Sequence, residues 1–291
     1  MKFHRSVSFL FALLLATSVV ADNASRPAAN IEQNRQLLAE AESQFFQALN
    51  EKPKRGKQSL EGLTLAYAVA PTDGRTNLLL GLNHLWLAAE APRQDPMTLQ
   101  HVILADYFLG RAEQLTGDYR IPSWRIPIQM TLARRDGDKK TADRHYESFL
   151  KAYKRNPDFH SFVLALLAFD EPADSKAFQR GLKAMRAAES CGEHNPSCQN
   201  LPRWPHNIEA YAVFMADYEA KAGDEAAARR WLGEAEQYAK ATGWAYLPAI
   251  AERQQQLSER MARYANTDRQ DDPANLFDEF QQETCQLCHR Q

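Results

Sequence analysis

Two stretches of this 291-residue chain share one pattern, and it restricts the fold more than any other feature. In one, Ile208, Tyr211, Met215, Tyr218 and Ala222 recur every three or four residues. Gly223-Asp224 then interrupts, and Ala228, Trp231, Leu232, Ala235 and Tyr238 resume the stripe. That period marks a helix with one apolar face. In the other, Leu132 to Arg135 leads into Gly137-Asp138, then Ala142, Tyr146, Phe149 and Leu150, closing at Asn156-Pro157-Asp158. Each stretch reads as a helical hairpin. Glycine admits the tight turn, aspartate caps the second helix, and a small alanine lets the paired helices approach.

The same spacing predicts helices over Ile31–Asn50, Ser59–Ala70, Thr76–Glu90, Pro96–Leu115, Pro122–Arg135, Phe159–Phe169, Ser175–Glu189 and Ala245–Tyr264. Asp95-Pro96 supplies an N-cap followed by a first-turn proline. Runs of alternating β-branched residues are missing, so the expected class is all-α. Aromatics at helical spacing, such as Tyr107, Phe108, Phe159, Phe162 and Tyr218, are expected in the core.

The matched turns, Gly137-Asp138-x3-Ala142 and Gly223-Asp224-x3-Ala228, resemble the tetratricopeptide-repeat family, best over residues 120–264 and weakly over 31–119. Strict 34-residue spacing is absent, so the repeats are degenerate. The resemblance implies antiparallel hairpins stacked as an α-solenoid over residues 22–264, with a concave face for a protein partner.

The first residues set an expected address. Lys2, His4 and Arg5 form a basic start, Val7 to Val20 is apolar except for Ser8, Thr17 and Ser18, and Val19-Val20-Ala21 offers cleavage before Asp22. Residues 1–21 read as a signal peptide, and a bacterial periplasm is the expected compartment. Removing them takes away Lys2 and Arg5 and no carboxylate, leaving 33 Lys and Arg against 37 Asp and Glu. This mild negative balance, with signs mixed along the chain, argues against a nucleic-acid surface. The basic cluster Lys52, Lys54, Arg55 and Lys57 reads as a solvated turn between helices. No later segment reaches the roughly twenty apolar residues that span a bilayer.

Residues 265–291 read as a polar linker and a tail, with Asp272-Pro273 opening a short helix that carries Leu276, Phe277 and Phe280. The tail ends in Cys285-Gln286-Leu287-Cys288-His289. With 4 Cys and 8 His in the chain, this order arises by chance roughly once in a thousand such chains. Two thiols at this spacing can add across the vinyl groups of a haem, and the next imidazole can ligate its iron. One covalent haem c is therefore expected, with Cys285 and Cys288 as anchors and His289 as the axial ligand. A disulfide, a thiol redox pair and a metal site are the competing uses of the same residues.

Only Arg290 and Gln291 follow, an arrangement that is similar to cytochromes of the c′ class in motif placement alone. Phe277, about two turns before Cys285, lies on the motif-bearing face as a possible contact for the macrocycle. Candidates for a sixth ligand are Met97, Met130, Met185, Met215 and Met261, and His84, His101, His145, His160, His194 and His206.

Cys191 and Cys198 flank a loop containing His194, and in an oxidising compartment they are expected to form a disulfide. The functional expectation is a redox protein that exchanges electrons with a docked protein partner. The alternative is a haem-free interaction scaffold or assembly factor with a terminal thiol or disulfide pair. No nucleophile elbow, phosphate loop or His-Glu-x-x-His pair is present in the sequence. That leaves peroxidase-like chemistry at an open haem as the remaining enzymatic option.

Overall fold

A computed structural model describes residues 28–50, 55–91, 95–189, 208–266 and 268–279. Among them the chain is all-α, without strands. Helices α1 (Ala28–Asn50), α2 (Arg55–Val69), α3 (Gly74–Glu90), α4 (Pro96–Thr116), α5 (Ile121–Arg135) and α6 (Lys139–Arg155) are followed by α7 (Pro157–Ala168), α8 (Lys176–Glu189), α9 (Ile208–Ala222), α10 (Glu225–Thr242), α11 (Leu247–Ala265) and a last turn, α12 (Leu276–Glu279).

The two glycine turns are built alike. Gly137 and Gly223 adopt left-handed backbone, φ 74° and 87°, which costs a residue with a Cβ about 1–2 kcal/mol. The N–H groups of Asp138 and Asp224 reach back to the carbonyls of Ala133 and Glu219, both at 2.9 Å. Their carboxylates accept from Thr141 N at 3.0 Å and Ala227 N at 2.9 Å. Asp73 and Asp95 cap α3 and α4 in the same way. Ala142 and Ala228 are buried where the hairpins close.

Each helix packs chiefly on its neighbours in sequence: α1 on α2, α3 on α4, α5 on α6, α7 on α8, and α9 on α10. Contacts two helices apart, α5 with α7 and α9 with α11, join successive hairpins. The largest apolar cluster runs from α5 to α12 through Phe149, Phe162, Phe178, Phe214, Trp231 and Leu276, while smaller clusters around Leu63 and Leu109 hold α1 to α5. Helix α9 lies at the centre of the large cluster, buried at every residue from Glu209 to Lys221.

Tertiary packing moves some expected boundaries. Helix α2 starts at Arg55, not Ser59, and in its first turn Gly56 lies close to the Trp86 ring. Arg55 and Lys57 therefore belong to a helix rather than a turn. Tyr107, expected in the core, is 52% exposed, whereas Phe159, Phe162 and Tyr218 are buried. The polar stretch after Tyr264 forms a 3-10 turn, Arg269–Asp271, and continues as a strap packed on the helices.

Candidate functional site

Cys285, Cys288 and His289 lie outside the described residues, as do Cys191, Cys198, His194, His206 and the 1–21 segment. The described chain ends at Glu279, six residues before Cys285. The strap that leads there is held by an ionic cluster that sequence reasoning missed.

The cluster centres on Asp217 of α9, which is 2% exposed. Arg253 Nε of α11 donates to both carboxylate oxygens, at 3.1 and 3.2 Å, and Arg260 donates at 2.9 Å. The backbone N–H of Leu276 donates to Oδ2 at 3.0 Å. Arg260 also donates to the Ala274 carbonyl at 2.8 Å, and the Tyr264 hydroxyl donates to that of Pro273 at 3.1 Å. Lys221 Nζ pairs with Asp272 at 2.7 Å and lies 5.1 Å from the Phe169 ring centroid. The second arm of Arg253 reaches Glu279 at 2.8 Å.

Three buried cations thus meet one buried carboxylate, Asp217, and two nearer the surface, Asp272 and Glu279, and cations so buried are tolerated only when paired. Burial pulls the Arg253 guanidinium down, but the Asp217 and Glu279 carboxylates outweigh it and hold the group above its ordinary value. Burial, with the Asp217 charge beside it, pushes the Tyr264 hydroxyl above the usual tyrosine range.

The register of these contacts fixes the strap's direction. As strap numbers rise from Asp271 to Glu279, partners on α11 fall from Arg263 through Arg260 to Arg253. Partners on α9 fall from Lys221 through Asp217 to Phe214. The strap therefore runs antiparallel to both helices, toward their N-terminal ends.

Phe277 is 5% exposed. It stands edge-on to Phe162 and Phe214, with centroids at 5.1 and 5.3 Å. This corrects the expectation that Phe277 faces a macrocycle, because its ring is a plug in the apolar core.

Most candidate sixth ligands are committed elsewhere. Met130, Met185 and Met215 are core residues, and Met261 on α11 packs against the same cluster. His160 is buried, its Nδ1 2.6 Å from Ser123 Oγ, and burial lowers its pKa to about 4. His84 and His101 meet at α3 and α4, Nδ1 to Nδ1 at 2.9 Å with ring centroids 5.2 Å apart. At this separation one Nδ1 donates its N–H and the other accepts, the roles set by the tautomers. Burial, then the neighbouring ring, lowers His84 to about 4. His145 is half-buried on α6, and Met97 is exposed on α4.

Among the described residues no three His, Cys, Asp or Glu side chains gather as a metal-holding group, and no helix is long and apolar enough to cross a membrane. Compared with protein families, with curated proteins and with solved structures, the chain matches none.

The missed cluster left a trace in the sequence. Asp217 interrupts the apolar run between Phe214 and Tyr218, while Arg253, Arg260 and Tyr264 stand at spacings of seven and four on one face of α11. Charged residues on a buried-looking stripe are a signal for paired internal charges.

Proposed function

We propose that the protein is an exported, periplasmic carrier of one covalent haem c that exchanges electrons with a docked protein partner. In this reading the hairpins stack as a tetratricopeptide-like solenoid, and the signal peptide ends near Ala21. Cys285 and Cys288 anchor the haem, His289 ligates its iron, and Cys191 and Cys198 close a disulfide. When bound, the haem supplies reversible one-electron chemistry.

The observation that carries this reading is the Cys285-x-x-Cys288-His289 sequence. The strap ties the chain to α9 and α11 up to Glu279, so the six residues to Cys285 reach at most about 20 Å from that point. A terminal motif on so short a lead stays close to the solenoid, where a partner docked on the helical body can approach it. The helical repeats need no chemistry of their own, and the expected absence of independent catalysis remains part of the proposal.

Co-expression with a periplasmic cytochrome-maturation system tests it. The expected product is a red protein with ferrous and ferric haem spectra that titrates as a single one-electron couple. The Cys285→Ser and Cys288→Ser variants are expected to lose that absorbance while keeping their helicity. A colourless protein whose partner binding is unaffected by the two serine variants would instead make it a haem-free scaffold.

A further inference from the structure

The groove between α9 and α11 is occupied by a short linear segment rather than by another helix, and the occupant shows what the groove recognises. Residues 272–279 contribute two backbone carbonyls, one backbone N–H, two carboxylates and the Leu276-Phe277 pair, while helix α12 within them is a single turn. This is how a peptide ligand is held: main-chain hydrogen bonds give affinity, and side-chain pockets give selectivity.

Charge defines the class of ligand. Beneath residues 272–279 lie Lys221, Arg253 and Arg260 against the single carboxylate Asp217, all buried with the strap in place. The groove side therefore carries an excess of two positive charges, and covering them is favourable only with an acidic occupant. Asp272 and Glu279 supply that charge, seven residues apart, with Leu276 and Phe277 between them. The connector before the strap is polar and exposed at Asn266 and from Asp268 to Asp271, so release of the strap leaves α11 intact while withdrawing Leu276 and Phe277 from the apolar core.

We infer that this groove is a docking site for an acidic segment of a partner protein, held closed in cis by residues 272–279. The partner segment carries a carboxylate, an adjacent pair of apolar residues four and five positions on, and a second carboxylate two positions later. The tethered strap competes at an effective concentration on the order of millimolar. A partner therefore gains the groove only by displacing it. The inference is independent of any haem at the terminal motif.

The test uses the full chain with a protease site inserted at the connector, beside Thr267, and a fluorescent peptide copying residues 270–279. After cutting in the folded state, the strap is expected to exchange with the labelled peptide while helicity is retained. The uncut chain should bind the peptide at least tenfold more weakly. A peptide with Asp272→Asn and Glu279→Gln should bind the cut chain at least tenfold more weakly than the native one.

Loss of helicity on cutting would make the strap an integral part of the fold and overturn the inference. So would failure of the peptide to exchange, or equal binding of the neutral peptide. Strap-exchanged dimers of the uncut chain, seen by light scattering, would assign the groove to a second copy and equally overturn it.

Discussion

Asp217 accepts from two guanidinium groups and one backbone N–H inside the core. Asp217→Ala leaves Arg253 and Arg260 as buried cations without that partner. We expect a stability loss of about 3–5 kcal/mol, read as a lower urea midpoint. Exposed pairs such as Arg35–Glu32 are expected to contribute under about 1 kcal/mol by the same measurement. His160 makes a prediction of the opposite pH character to a paired cation. Its folded pKa is depressed, chiefly by burial, from 6.5 to about 4. Its contribution is therefore complete above pH 6.5 and is lost as pH falls through 6.5 toward 4. Across that window the loss amounts to about 3 kcal/mol. Urea unfolding at intervals between pH 7 and 4 should show a shallower pH dependence in His160→Gln than in the native chain. An unchanged slope would remove His160 from the account.

At the scale of elements, the Gly-Asp turns are the parts the sequence states most openly. Gly223→Ala is expected to cost about 1–2 kcal/mol because of its left-handed backbone, and Asp224→Ala about 1 kcal/mol because a capping bond to Ala227 is lost. Thermal unfolding of the two variants checks both values. These turns were legible because φ and cap demands are local and select particular residues. The same holds for the all-α class and most helix limits, where apolar spacing and proline act within a few residues. The early start of α2 was not legible, since the apolar stripe begins only after Ser59 and the approach of Gly56 to Trp86, thirty residues away, is not visible in local spacing. The strap was hidden for the same reason. The Asp217 and Arg253 positions left a trace in the apolar stripes, but Asp272 and Glu279 look like ordinary surface charges until α9 and α11 bring Lys221 and Arg253 to them. Phe277 shows the converse error: helical spacing placed it on the motif face, but Phe162 and Phe214 draw it into the core.

Across the whole molecule, the helices pack mainly on sequence neighbours, and the last described segment folds back over α9 and α11 to Glu279. The motif expected at Cys285 comes six residues after Glu279, where the strap is held by Arg253. The haem proposal stands on Cys285, Cys288 and His289, and the most direct measurement is the intact mass of the chain purified from the periplasm of a host that matures c-type cytochromes. The account predicts a chain beginning near Asp22 and heavier by one covalent haem, with the added mass surviving denaturation and absent from the Cys285→Ser, Cys288→Ser double variant. A mature chain of unmodified mass, with Cys285 and Cys288 recovered as free thiols or as a disulfide, would contradict it.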